Sequence, residues 1–232
     1  MNTIHRLKIT LDDVEPPLWR LLEIESDCPI DFVADAIRGV FGWSFTHGYK
    51  FVIKGRHYGT HNHWVRDDPE QELEERRRHI TKRKLGSNAE RKAMDELFDW
   101  YDARRAELAK EEDPIPMLSE VVRRARSRFR FIFDFGDWWE HTVIVEKIEP
   151  ADPSVAYPRC IGGSGANPLE DCGGWWRLNQ VIQAVDEPKI PRDETLQHII
   201  TNWVGENWDH QKVSVDEINM RLRKMFTKSE LE

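Results

Sequence analysis

The chain has 232 residues, with 34 basic against 42 acidic side chains and a formal charge of −8 with histidine neutral. That length suffices for one well-buried core with an insertion, and the acidic balance argues against wholesale wrapping of nucleic acid. No apolar run approaches the roughly 20 residues a membrane helix needs, and MNTIHRLKIT has no signal-peptide core, so the cytoplasm is the expected compartment.

Leu7, Ile9 and Leu11 alternate with polar residues, Asp12-Asp13 begins a turn, and Leu18 to Ile24 is extended again after Pro16-Pro17, which predicts an N-terminal hairpin. Ile30, Val33, Ile37, Val40 and Phe41 fall at helical spacing behind Pro29, with Gly42 as the stop. Tyr49, Phe51 and Ile53 predict a third strand ended by Gly55. From 64 to 116 the composition turns to charged helix. Capping-box patterns at Asp68 with Gln71 and Ser87 with Glu90 predict an inserted αα-hairpin, at the domain edge or serving as a homodimer contact.

Leu118 to Arg126 predicts a short helix. Phe129, Phe131, Phe133 and Phe135 then alternate with Arg130, Ile132 and Asp134, a period of two that marks a strand with one aromatic face buried, expected to be the central one. Gly136-Asp137 supplies turn chemistry before a second alternating run, Thr142 to Ile148, so a hairpin is expected whose connection carries Asp134, Asp137, Trp139, Glu140 and His141. A glycine-rich loop over 157–174 follows, and three C-terminal helices are marked by Leu178–Val185, Leu196–Trp203 and Val215–Phe226, the last capped by Ser214 with Glu217. The fold class is therefore α+β, a single domain over 1–232 with a largely antiparallel sheet, a ββαβ-ββ core, the inserted hairpin and C-terminal helices.

Four segments together carry a resemblance: Leu7-Lys8-Ile9 with Pro16-Pro17-Leu18-Trp19-Arg20; Phe41-Gly42-Trp43 with His47 and Phe51; Asp134-Phe135-Gly136-Asp137 with Trp139, Glu140 and His141; and Tyr157-Pro158-Arg159-Cys160 with Pro168 and Glu170-Asp171-Cys172-Gly173-Gly174. In these the chain resembles the plasmid pRiA ORF-three-like family, which includes insertion-element passenger proteins called TnpR. The resemblance implies a compact α+β domain carried by plasmids or transposable elements, without an assigned chemistry. Two positions depart from the family's pattern: Tyr49 stands where a second histidine is common, and Asn167 where a further cysteine is.

Asp134, Asp137, Glu140 and His141 fall within eight residues, and carboxylates beside an imidazole can bind a divalent metal or act as an acid and base. The competing reading is structural, with the aspartates capping a tight turn and His141 bonded to a backbone carbonyl. Cys160 and Cys172 with His141 or His47 have zinc-ligand chemistry, but eleven residues between the thiols is not zinc-finger spacing, and free thiols are the simpler reading. Ile161 to Ala166 lacks the pattern of a nucleotide-binding loop and is expected to fold over the hairpin with Glu170 or Asp171 bonded into it. His57, His61 and His63 are read as exposed loop histidines. Trp138, Trp139, Trp175 and Trp176 bracket the acidic cluster, as aromatic walls do in ligand pockets.

The expectation is a binding domain without a cofactor. Its groove would lie between the 134–141 hairpin tip and the 160–174 loop, lined by Asp134, Asp137, Trp139, Glu140, His141, Arg159 and Asp171, and would take a basic protein or a small cationic ligand. The second reading is a metal-dependent hydrolase with Asp134, Asp137 and His141 as ligands, weaker candidates Cys160 and Cys172, and Glu170 or Asp171 as base. DNA binding by the strip from Arg123 to Arg130 is the third, and nucleic acid is not the expected partner.

Overall fold

The structure, a computed structural model, describes residues 2–59, 115–205 and 207–226, with positions 92, 96, 97, 99 and 100. The chain forms two units, Met1–Thr60 with Ile115–Glu232, and His61–Pro114. In the second unit the described positions are helical, and Lys92 pairs with Glu96 one turn later at 3.9 Å. The capping patterns at Asp68 and Ser87, and with them the predicted αα-hairpin and dimer contact, lie outside the described residues. So do His61 and His63.

The first unit is built on strands β1 (Thr3–Leu11), β2 (Leu18–Glu25), β3 (Tyr49–Ile53), β4 (Arg56–Gly59), β5 (Arg128–Phe133), β6 (Trp139–Pro150) and β7 (Arg159–Ser164). They make one sheet in the order β4-β3-β5-β6-β1-β2-β7, every pairing antiparallel. Its helices are α1 (Ile30–Phe41), α2 (Leu118–Val121), α3 (Gly174–Asp186), α4 (Glu194–Ile199), which continues as a π turn (Ile200–Val204), and α5 (Val215–Phe226).

The period-two residues behave as their spacing dictates. Phe129, Phe131 and Phe133 meet Tyr49 and Phe51, with Phe51 and Phe131 ring centroids 4.9 Å apart, and Leu7, Ile9, Leu11, Val143 and Val145 continue the same buried face. Each such side chain contributes about 2 kcal/mol by leaving water. Helix α1 begins behind Pro29, stops where Gly42 turns left-handed, and packs beside α5 over this face. The opposite face carries Arg6, Lys8, Arg128, Arg130, Glu140 and Glu146.

Several expectations are corrected. The central strand is β6, not β5: twelve residues of extended chain pair with β5 on one side and β1 on the other. The connection is shorter than expected, Asp134 to Trp138, so Trp139, Glu140 and His141 belong to β6. Phe135 falls in that turn rather than on the strand. His57 lies on β4. Helix α2 ends at Val121 because the chain already joins the sheet, with Arg126 N–H bonding Val145 O and Val145 N–H bonding Ser127 O. Part of the predicted glycine loop is the edge strand β7. Gly163 lets β2 lie close against it, since a Cβ there would sit 3.1 Å from both Arg20 Cδ and Trp19 O.

Candidate functional site

The strand registers bring four connections to one end of the sheet. Leu11 is opposite both Leu18 and His141, Phe133 is opposite both Trp139 and Tyr49, and Trp19 is opposite Ser164. The β1–β2 turn, the segment before β3, the β5–β6 turn and the chain leaving β7 therefore share that end.

Asp134 N–H bonds Gly48 O at 2.9 Å, extending the β3–β5 ladder one step and placing His47 beside Asp134. His47 Nδ1 lies 3.6 Å from Asp134 Oδ1, and Nε2 lies 3.1 Å from Asp171 Oδ1 and 3.6 Å from Glu170 Oε1. The imidazole stands edge-on to Phe133 at 5.9 Å. One nitrogen of His47 and one oxygen each of Asp134 and Asp171 all lie within 4.8 Å of one another.

These carboxylates are held from behind. Gly136 N–H donates to Asp134 Oδ1 at 2.8 Å, and Ser44 donates to Glu170 through both N–H (2.7 Å) and Oγ–H. Asp137 ties the hairpin tip to the neighbouring loop by accepting from Gly173 N–H at 3.0 Å, and Gly174 packs so closely that a Cβ there would sit 2.5 Å from Asp137 O. Asp134 (φ +55°), Trp138 (φ +55°) and Asp171 (φ +59°) all adopt left-handed backbone, uncommon for aspartate and rarer for tryptophan. Around them Phe45, Trp138, Trp175 and Trp176 are exposed. Lys50 Nζ lies 4.4 Å from the Trp138 ring centroid, a cation already resting on an aromatic face of this rim.

The predicted tip and loop thus meet through Asp134, Asp137, Glu170 and Asp171, but four expected partners stand elsewhere. Strand alternation turns His141 inward: it is fully buried, Nδ1 lies 3.1 Å from Trp139 O and 3.3 Å from Phe131 O, and burial lowers its pKa to about 4. Trp139 is equally buried, its ring 5.0 Å from Trp43, so it builds core and not a groove wall. Glu140 faces the other side of the sheet, paired with Arg130 at 2.8 Å. Arg159 is opposite Glu23, five residues or roughly 15 Å down β7 from Ser164. There it shares buried Glu23 with Arg6, each at 2.7 Å.

The hydrolase ligand set of Asp134, Asp137 and His141 therefore does not converge. Cys160 does not reach Cys172 either, since it pairs with Leu22 and its backbone N–H is bonded to Asn219. Both thiols are buried, and burial raises the pKa of Cys160 and pushes that of Cys172 up to about 12, leaving poor thiolate ligands. In the arginine strip, Arg128 bonds Thr142 Oγ1 and Arg130 pairs with Glu140.

His47, which the sequence offered only as a partner for the thiols, is the hub, and Ser44, which braces Glu170, was missed by sequence reasoning. His47 follows Phe41-Gly42-Trp43 in a resembling segment, but nothing local links it to Glu170. Hollows of about 500 Å³ beside α4 and about 420 Å³ between Ala166-Asn167 and α5 are lined by none of the cluster's side chains. Among the described residues no helix is long and apolar enough to cross a membrane.

Residues 3–217 match the family model described as plasmid pRiA4b ORF-3-like protein. The uncharacterized protein y4hQ of Sinorhizobium fredii (strain NBRC 101917 / NGR234) is 25% identical over 228 residues, covering 97% of this chain and 94% of that one. In fold the chain is similar to the crystal structure of protein of unknown function MM3350 from Methanosarcina mazei Go1, with a TM-score of 0.61, 20% identity, and coverage of 94% of this chain and 98% of that one.

Proposed function

The chain belongs to the plasmid pRiA4b ORF-3-like family, and from that premise we propose that it is a binding module, carried by plasmids or transposable elements, that docks a lysine- or arginine-bearing protein segment on the acidic, aromatic-rimmed end of its sheet. The observation that carries this reading is His47 held among Asp134, Glu170 and Asp171 at 3.1 to 3.6 Å beside exposed Trp138, Trp175 and Trp176. Carboxylates attract cationic heads, and indole faces attract both the charge and the methylene stems below it. Neither hollow includes these acids, and a cation reaching them past exposed Asp171 is better supplied by a protruding basic side chain than by a small molecule, which needs enclosure.

The test is calorimetry against arrayed peptides of equal length, basic and acidic, in buffer containing a chelator. Basic peptides are expected to bind, with affinity falling as salt rises, and the Glu170→Gln/Asp171→Asn pair or Trp176→Ala should weaken them at least tenfold. Equal affinity for basic and acidic peptides at low ionic strength would refute the reading.

A further inference from the structure

We propose that His47, Asp134 and Asp171 form a site for a first-row divalent metal ion, with Glu170 at its edge; this rests on the reading of the same end of the sheet as a cation-binding surface. One nitrogen and two carboxylate oxygens lie within 4.8 Å of one another. A single ion bound at about 2.1 Å to each donor spaces its ligands by roughly 3 to 4 Å, so the three need shift little to share one. A mixed imidazole and carboxylate set without thiolate suits manganese, cobalt or zinc better than calcium, which prefers oxygen throughout.

Two further observations favour a cation at this site. The Asp134 side chain, 7% exposed, accepts one N–H bond, from Gly136, and among the described residues has no cation within hydrogen-bonding distance, His47 standing 3.6 Å away. A carboxylate so buried has coordination capacity unused and a charge that calls for a counterion. The donors are also braced from behind, Asp134 by Gly136 N–H and Glu170 by Ser44, as metal ligands are. Even a protonated His47 balances only one of three carboxylates. The basic side chains on adjoining elements are engaged elsewhere: Arg177 with Asp193 at 2.9 Å and Lys50 over the Trp138 ring. Asp171, 67% exposed at its side chain, leaves an open face for water or a partner's group to complete the shell.

Untagged full-length protein, stripped of metal, is titrated with Mn²⁺ by electron paramagnetic resonance and with Co²⁺ and Zn²⁺ by calorimetry. The expected result is one site per chain, with Mn²⁺ broadening amide signals of residues 44–48, 134–137 and 170–174. Asp171→Asn and Asp134→Asn should each weaken binding at least tenfold, while Glu146→Gln on the exposed face of β6 leaves it unchanged. Circular dichroism checks folding; if Asp134→Asn is unfolded, the exposed Asp171→Asn carries the test. Affinity weaker than about 1 mM for all three ions, indifference to both variants, or broadening elsewhere overturns the site. Basic-peptide binding in chelator with no metal binding would overturn this inference alone, and the reverse pattern would overturn the docking surface alone.

Discussion

Replacing His141 with phenylalanine separates a titrating core histidine from a site residue. His141 is wholly buried, its ring 4.8 Å from Phe41 and 5.5 Å from Phe131, and burial lowers its pKa from 6.5 to about 4. Between those values the unfolded chain binds a proton that the folded chain does not. This group's contribution to stability is then complete above about pH 6.5, is lost as pH falls through the window, and is gone near pH 4. At 1.36 kcal/mol per unit, the two values imply that this one group removes about 2 kcal/mol between pH 7 and 5 and about 3 kcal/mol by pH 4. Phenylalanine keeps an aromatic ring, somewhat larger, loses the carbonyl contacts and removes the buried Nε2 that has no hydrogen-bond partner among the described residues, at a net cost of about 1 kcal/mol at pH 7. Urea unfolding at pH 7, 6 and 5 should show that deficit vanish and reverse, the variant becoming about 1 kcal/mol more stable than wild type at pH 5. His5, also lowered by burial, is present in both proteins and cancels. Parallel stability curves for the two proteins would refute the argument.

Two other substitutions test the framework around the cluster. Gly174→Ala places a methyl 2.5 Å from Asp137 O at φ +80°, and should cost about 2 kcal/mol or more in urea unfolding while shifting the amide signals of Asp137 and Gly173. Arg20→Lys keeps the charge but loses a fork that bonds Val40 O (3.1 Å), Trp19 O (2.9 Å), Ser164 O (2.8 Å) and Asn167 Oδ1 (3.2 Å) from a fully buried position. The stranded carbonyls should cost about 3 kcal/mol, read by the same unfolding assay.

Where local chemistry decides structure, the chain could be read directly. The alternation around Phe129, Phe131 and Phe133, the helical spacing from Ile30 to Phe41 and the Ser214 cap, whose Oγ accepts Glu217 N–H at 3.2 Å, each depend on near neighbours. β7 escaped because Gly162 and Gly163 have poor strand propensity, and the crowding that favours glycine at 163 comes from Arg20 Cδ and Trp19 O, on a strand some 140 residues earlier. The rank of β5 in the sheet escaped because pairing order is a property of the whole chain. The hairpin run was located correctly but divided wrongly: Gly136-Asp137 marks the turn, and nothing local shows that extended chain resumes at Trp139 and not at Thr142.

That division determines which histidine faces the carboxylates. Side chains alternate along a strand, so with β6 beginning at Trp139 the residues Trp139, His141 and Val143 share the core face, and Asp134, seven residues before His141, is held by the turn at the sheet's end. Had the strand begun one residue later in register, His141 would have faced outward with Glu140 buried, an arrangement a core of Phe41, Trp43 and Phe131 would not accept for a carboxylate. The same alternation that removes His141 from the acidic end leaves the role open to a residue from another strand's approach. His47 fills it because the β3–β5 ladder extends past its last strand residues to the Gly48–Asp134 bond, which fixes His47 next to Asp134 whatever the loop from 165 to 173 does. The loop then brings Glu170 and Asp171 to an imidazole already in place, so the hub belongs to the sheet and the rim to the loop.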